Sequence, residues 1–129
     1  ARELALWGNL HLNKGRLEGK SILPEEIFEL ITSVQSPTTL SPHLPKFGFL
    51  WWVKDGEVTV DYNELGSEMP NGSYQILGAS GCLCTVIPKY NAVAVRMFNS
   101  LNAYEKLGFD YIKDIQMFNN LVVSSLKNL

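Results

Sequence analysis

Tyr74-Gln75-Ile76-Leu77-Gly78-Ala79-Ser80-Gly81-Cys82-Leu83-Cys84-Thr85-Val86-Ile87-Pro88 is followed, three residues later, by Ala92-Val93-Ala94-Val95. Tyr74 to Leu77 is apolar enough for a strand. Leu83 to Ile87 is a second strand, closed by Pro88. Asn91 to Phe98 alternates partly, through Val93, Val95 and Met97, and reads as a third. No helix-length segment separates the three runs. Consecutive strands joined by short turns pair antiparallel, because a parallel pair needs a long crossover.

Upstream of this block, residues 63–73 carry Gly66, Pro70 and Asn71-Gly72, which is loop chemistry. Phe47 to Val53 is aromatic-rich, ends in Trp51-Trp52-Val53 and reads as one strand. Asp55-Gly56 supplies a hairpin turn to a return strand over Glu57 to Tyr62. Pro37, Pro42 and Pro45 make residues 36–46 a loop. Pro24-Glu25-Glu26 opens a helix, with proline at the first helical position and the acids at its positive end. Its stripe is Ile27, Leu30, Ile31 and Val34. Residues 16–23 are a short connection. Ala1 to Asn13 reads as a helix, stopped by Asn13-Lys14-Gly15. Its Ala1, Leu4, Ala5, Leu6, Trp7, Leu10 and Leu12 cover most of the circumference and predict burial on several sides. Downstream, Phe109 to Leu126 is a long helix whose stripe of Tyr111, Ile112, Ile115, Phe118, Val122 and Leu126 needs a sheet face to cover. Two helices, several strands and a final helix predict an α+β fold, with an antiparallel β-sheet flanked by helices, over a single domain spanning residues 1–129.

The 129 residues are 46% hydrophobic and 19% charged, the composition of a chain that builds a core. Eleven Lys and Arg stand against 13 Asp and Glu, so no basic excess exists for broad electrostatic binding of nucleic acid. No apolar run approaches the roughly 20 residues that span a bilayer, and no signal-peptide layout is visible. Ala1 at the start is compatible with processing, an imposed boundary or a piece of a longer chain. Cys82 and Cys84, the only two cysteines, lie two residues apart on one strand face, about 6.5–7 Å between Cα atoms. That is near or beyond disulfide reach and suits packing. His11 and His43 lie far from each other and from the cysteines, so no metal site and no cofactor is expected. His11 reads as a packing residue and His43 as a loop residue. Trp51 and Trp52 point to opposite faces, one core and one surface. Arg96, inside an apolar strand, either pairs with an acid or faces solvent. Glu64 and Glu68 lie in a loop and make no acid/base pair.

Several pieces occur in one order: Ala1-Arg2-Glu3-Leu4-Ala5, Leu10-His11-Leu12-Asn13-Lys14-Gly15, Gly19-Lys20-Ser21-Ile22-Leu23-Pro24, Phe47-Gly48-Phe49-Leu50-Trp51-Trp52-Val53, Gly78-Ala79-Ser80-Gly81 and Val86-Ile87-Pro88. From Ala1 to about Asn99 this succession resembles the C-terminal portion of the serine β-lactamase-like superfamily, in its class C-like branch with D,D-peptidases, carboxylesterases and amidases. The resemblance implies an antiparallel sheet between helices, beside a separate helical region. It implies attack of a serine on a carbonyl, an acyl-enzyme and hydrolysis. The nucleophile would come from a Ser-x-x-Lys motif and the proton-transfer groups from a Tyr-x-Asn motif, both upstream of Ala1. Such serines need an adjacent base, and the tetrahedral oxyanion needs preorganised donors.

The resemblance implies that the family's Lys-Thr-Gly or His-x-Gly strand motif falls on Ile76-Leu77-Gly78, with Ala79 offering its backbone N–H to the oxyanion. A shifted register, Ala79-Ser80-Gly81, fits the spacing to Pro88 less well. Either way the polar leader is absent, which weakens recognition of a substrate carboxylate. The implied wall is therefore Ile76, Leu77, Gly78, Ala79, Ser80 and Gly81, with no catalytic residue and no metal ligand in this chain. Implied partners are the N-terminal half of the same fold or a second copy of the chain. An amide, ester or lactam would be the small-molecule substrate of the intact protein. Family analogy makes the setting periplasmic or extracellular. Ser124-Ser125-Leu126-Lys127 and Ser100-Leu101-Asn102 fit family motifs but lie downstream of the strand they should precede. Asn71-Gly72-Ser73 fits a glycosylation pattern, with a turn as the stronger reading. A non-catalytic binding or assembly module on the same scaffold is the alternative. A third reading rests on Ala103-Tyr104-Glu105-Lys106-Leu107-Gly108-Phe109, which resembles a late N-acetyltransferase signature, without a Gly-rich turn before a helix.

Overall fold

The computed structural model describes residues 1–41, 44–56, 65–97, 108 and 110–129. It is an α+β fold. Helix α1 (Arg2–Leu12) leads into a two-stranded hairpin, β1 (Arg16–Leu17) and β2 (Lys20–Ser21), then helix α2 (Glu25–Thr32). A five-stranded antiparallel sheet follows: β3 (Lys46–Phe47), β4 (Trp52–Val53), β5 (Tyr74–Leu77), β6 (Leu83–Ile87) and β7 (Ala92–Arg96). Its spatial order is the chain order, a meander. Helix α3 (Tyr111–Lys127) closes the described fold. Asp110 caps it, its carboxylate accepting from Lys113 N at 3.2 Å.

The alternation of β6 assigns the helices to opposite faces. Cys84 and Val86 look towards α1. Gly8 lets that helix approach, since a Cβ there would lie 2.6 Å from both Cys84 Sγ and Val93 Cγ1. Trp51, Val53, Tyr74 and Val86 form the core on this side, with Leu12 and Ile76 packed against them. Thr85 and Ile87 look towards α3. Ile87, Val123, Leu65 and Met69 form the second core, bordered by Trp52, Tyr90 and Leu126. The last helix thus covers a sheet face, as its stripe requires. Trp51 is buried and Trp52 half-buried on the other face. Arg96 pairs with Asp114 of α3 at 2.6 Å. Cys84 is buried and Cys82 half-buried, both as free thiols.

Three local expectations change. Residues 47–53 are not one strand. Gly48 N donates to Trp51 O at 2.8 Å and Phe49 N to Ile31 O at 3.1 Å, so the chain folds over the end of α2 and makes a β3–β4 hairpin. Gly48 permits it, because a Cβ there would run into the Ile31 carbonyl. Residues 16–23 pair as a hairpin around Glu18 (φ 50°) and Gly19 (φ 78°), left-handed values that suit a two-residue turn. The helices are also less enclosed than their apolar positions predict. In α1 only Gly8 and His11 are buried, while Leu6 and Trp7 are about half exposed at 52% and 49%. In α2 the buried residue is Phe28, with Ile27 and Leu30 facing out. Phe28 wins because its ring seats on Gly15, where any Cβ would overlap it, and against the edge of His11 at 5.2 Å between centroids.

Residues 57–62 with the return strand, His43, Glu64, Ser100-Leu101-Asn102 and most of Ala103–Phe109 lie outside the described residues. No helix among the described residues is long and apolar enough to cross a membrane.

Candidate functional site

All six candidate wall residues lie on the β5–β6 hairpin. Gly78 N donates to Cys82 O at 2.8 Å, and Gly81 N donates to Gly78 O at 2.9 Å. The loop is therefore Ala79-Ser80-Gly81. Gly81 takes the left-handed position (φ 80°) that a three-residue hairpin loop needs at its end. Tyr111 at the start of α3 anchors the hairpin from outside, its hydroxyl donating to Gly78 O at 3.2 Å. Ser80 Oγ lies 3.5 Å from Cys82 Sγ.

The hydrogen bond from Gly78 determines where the rest of the backbone points. In an antiparallel ladder, residues alternately turn both their N–H and C=O towards one neighbour and then the other. Gly78 bonds towards β6, so Ile76 and Tyr74 do the same. Leu77 turns its own to the opposite edge, whereas Ala79 lies in the loop, beyond the alternation of the ladder. On that edge β4 pairs with β5 only at Trp52–Gln75 and Val53–Tyr74, while β6 pairs with all four residues of β5. Beyond Gln75 the β4 chain has peeled off into the Gly48–Trp51 turn. Among the described residues no strand pairs with Leu77 on that edge, and Ala79, in the loop beyond it, is exposed.

Side chains around this edge are apolar. Ile76 packs into the α1-side core, where a lysine or histidine would bury an unpaired charge. Leu77 is half-buried on the other face. Leu50 and Phe49, in the Gly48–Trp51 turn, are 82% and 62% exposed. Residues 76–81 hold no ionisable side chain. Gly78 is not demanded by the hairpin. Its φ is outside the left-handed region, and an added Cβ would only touch Cys82 O at 3.5 Å. A glycine without a conformational duty on an exposed strand end suits close approach of another backbone or a ligand.

A second polar group sits behind the site, on the α3 face. Lys54 is only 4% exposed. Its ammonium has one long contact, to Gly66 O at 3.4 Å, and burial pushes its pKa down. Lys54 N donates to Ser73 O at 2.8 Å, so the two residues are neighbours across β4 and β5. Ser73 Oγ and Gln75 Nε2 are buried without a hydrogen-bond partner among the described residues. The sequence reading missed both this row and the Gly48–Trp51 turn. The signal for the turn was Gly48, a strand-breaking glycine inside an aromatic run.

The chance motifs within the described residues do not enter the wall. Ser124 lies exposed on α3, and Lys127 Nζ is bound to Glu68 Oε2 at 2.8 Å. Asn71-Gly72 forms a turn with Gly72 at φ 80°. His11 is 2% exposed, ringed by Trp7, Phe28 and Trp51, with Nδ1 2.9 Å from Trp7 O, and burial lowers its pKa. No group of three or more His, Cys, Asp or Glu among the described residues converges to hold a metal.

No family model matches the chain. It is similar to an uncharacterized protein of Alkalihalophilus pseudofirmus, 45% identical over 125 residues, a match that covers 97% of this chain and 36% of that protein. The chain thus spans little more than a third of the length of the curated relative it matches.

Proposed function

We propose that this chain is the C-terminal, sheet-bearing portion of a β-lactamase-like serine hydrolase, which forms and hydrolyses an acyl-enzyme from an amide, ester or lactam. In this reading the β5 edge is the wall that faces a nucleophile supplied by the rest of the fold. The observation that carries it is the end of β5: no described strand pairs with it on the β4 side beyond Gln75, and Gly78 there is a glycine that the hairpin does not need. A preorganised backbone donor is what an acyl-transfer oxyanion requires. The chain supplies no nucleophile or base, so alone it is inactive.

Two further observations support a covering partner. Leu6, Trp7, Leu17, Ile22, Ile27 and Leu30 are each at least 41% exposed across α1, β1–β2 and α2. An apolar surface of this kind marks an interface. Strand β7 ends the sheet among the described residues and offers an unpaired edge. The partner is the N-terminal half of the same fold, and a second copy is the competing occupant. The test is to read the natural coding sequence upstream of Ala1 and treat the whole polypeptide with a fluorophosphonate. An in-frame Ser-x-x-Lys whose serine takes the label supports the reading. A frame that starts near Ala1, or a label on a serine within residues 1–129, overturns it.

The replacement of the polar motif leader by Ile76 and Leu77 favours the second reading, a non-catalytic binding module. A full-length polypeptide that lacks the nucleophile yet binds ligand at the same edge is its signature.

A further inference from the structure

We infer that the interior between the sheet and α3 binds one small monovalent anion, of halide size, held by Lys54, Ser73 and Gln75. The site is independent of the hydrolase reading and lies on the face of the sheet away from α1. Register brings the three residues together. Trp52 pairs with Gln75, and Lys54 N donates to Ser73 O at 2.8 Å. Alternation along both strands then puts Lys54, Ser73 and Gln75 on one face. Helix α3 gathers the same groups from the other side. Gln75 Oε1 accepts from Asn119 Nδ2 at 2.8 Å, which leaves Nε2 on the other branch of the amide. Lys54 Nζ reaches Gly66 O. Gly66 itself lies against α3, since a Cβ there would meet Asn120 Oδ1 at 2.6 Å and Gln116 O at 3.1 Å. Lys54 and Gln75 therefore both end at one turn of α3, residues 116–120, with Ser73 beside them on the sheet.

The chemistry of the set is that of donors. An ammonium carries three N–H groups, a carboxamide nitrogen two and a hydroxyl one. Among the described residues these meet one acceptor, Gly66 O, at 3.4 Å, which is long for a charged hydrogen bond. Ser73 Oγ and Gln75 Nε2 meet none. All three residues are buried. No carboxylate among the described residues pairs with Lys54: Glu68, two residues beyond Gly66, is bound to Lys127 at 2.8 Å, and Asp114 of α3 to Arg96 at 2.6 Å. A buried charge needs a counter-charge, and buried donors need acceptors. Water donates as many hydrogen bonds as it accepts, so it leaves a cluster of donors unbalanced. An anion accepts from every side and neutralises the ammonium in the same step. It is small because the surroundings are closed. Leu65 and Met69, on the segment that carries Gly66, are buried with Ile87 and Val123. The bound ion ties that segment to the sheet and to α3, and it opposes the burial that lowers the Lys54 pKa.

The test uses the 129-residue chain at fixed ionic strength, with chloride replacing gluconate, an anion too large for the site. The unfolding equilibrium constant is expected to fall as chloride rises, with a slope of about −1 on logarithmic axes above the midpoint, the mark of one ion bound by the folded state alone. In the same titration the side-chain amide resonances of Gln75 in the 15N-labelled chain are expected to shift with a single midpoint. Lys54→Met keeps the length of the side chain and removes the charge. It is expected to bring the chloride slope to zero and to abolish the Gln75 shift. Ser73→Ala removes one atom and one donor. It is expected to keep the fold and raise the chloride midpoint about fivefold, the worth of one hydrogen bond. A parent chain without chloride dependence, a Lys54→Met chain that retains it, or a titration that leaves Gln75 unmoved overturns the site. An unchanged midpoint in Ser73→Ala overturns it as well. None of these results bears on the hydrolase reading, which stands or falls on the residues upstream of Ala1.

Discussion

Asn119 of α3 donates from Nδ2 to Gln75 Oε1 of β5 at 2.8 Å, joining the last helix to the central strand across 44 residues. Thr85 of β6 completes the group, its Oγ1 donating to Asn119 Oδ1 at 2.9 Å and lying 3.3 Å from Gln75 Oε1. All three are fully buried. A polar triad in this position ties α3 to the sheet, because sliding the helix would break both Asn119 bonds and leave their partners buried. Asn119→Ala is expected to cost about 2–4 kcal/mol, since it leaves Thr85 and Gln75 short of partners and opens a void. Urea denaturation should show a lower midpoint with an unchanged slope. A loss below about 1 kcal/mol would mean that the triad is not formed.

His11 makes stability depend on pH. Burial lowers its pKa from 6.5, so the unfolded chain takes up a proton at a pH where the folded chain does not. The contribution is complete above about pH 6.5 and is lost as pH falls below that value. Thermal melts between about pH 7 and 5 should show a falling midpoint. His11→Phe should flatten that fall while keeping the aromatic contacts with Trp7, Phe28 and Trp51. A variant with the same slope as the parent would show that His11 is not the responsible group.

The two thiols should differ in reactivity. Burial pushes the Cys84 thiol up to about 11, opposed only in part by its backbone contact with Gly8. It is 0% exposed, whereas Cys82 is half-buried at the hairpin. The thiolate is the reactive form, so iodoacetamide under native conditions should modify Cys82 first. Mass spectrometry of the digested product reads this directly. Equal labelling would require that α1 leaves the sheet on the timescale of the reaction.

Gly8 is a packing glycine. Alanine favours a helix by about 1 kcal/mol, but its methyl would meet Cys84 Sγ and Val93 Cγ1 at 2.6 Å. Overpacking of this kind costs about 1–3 kcal/mol. Gly8→Ala is therefore expected to be destabilising on balance and Gly8→Val strongly so, measured by the denaturation midpoint. A stabilised Gly8→Ala would show that α1 sits farther from β6 and β7.

The strands of the β5–β6–β7 meander were legible because period-two apolar runs between turn residues have one plausible structure. Tyr74–Leu77 and Leu83–Ile87 are where the pattern places them. Helices α1 and α3 follow from their apolar spacing, to within a residue or two at most ends. Phe47–Val53 misled, because local propensity favours a strand and only the nearby end of α2 supplies the carbonyl that bends the chain at Gly48. The stripe of α2 misled for a similar reason. Ile27 and Leu30 are as apolar as Phe28, but Gly15 offers a seat to Phe28 alone.

Residue order alone determined the α+β class, the antiparallel pairing and the charge balance, since each depends on residue types and their neighbours along the chain. Tertiary structure decided how far β4 pairs along β5 and which apolar side chains the β3–β4 turn exposes. Those properties depend on where β4 leaves the sheet, and that is set by a contact between Phe49 and Ile31, residues brought together only when the helix and the hairpin pack.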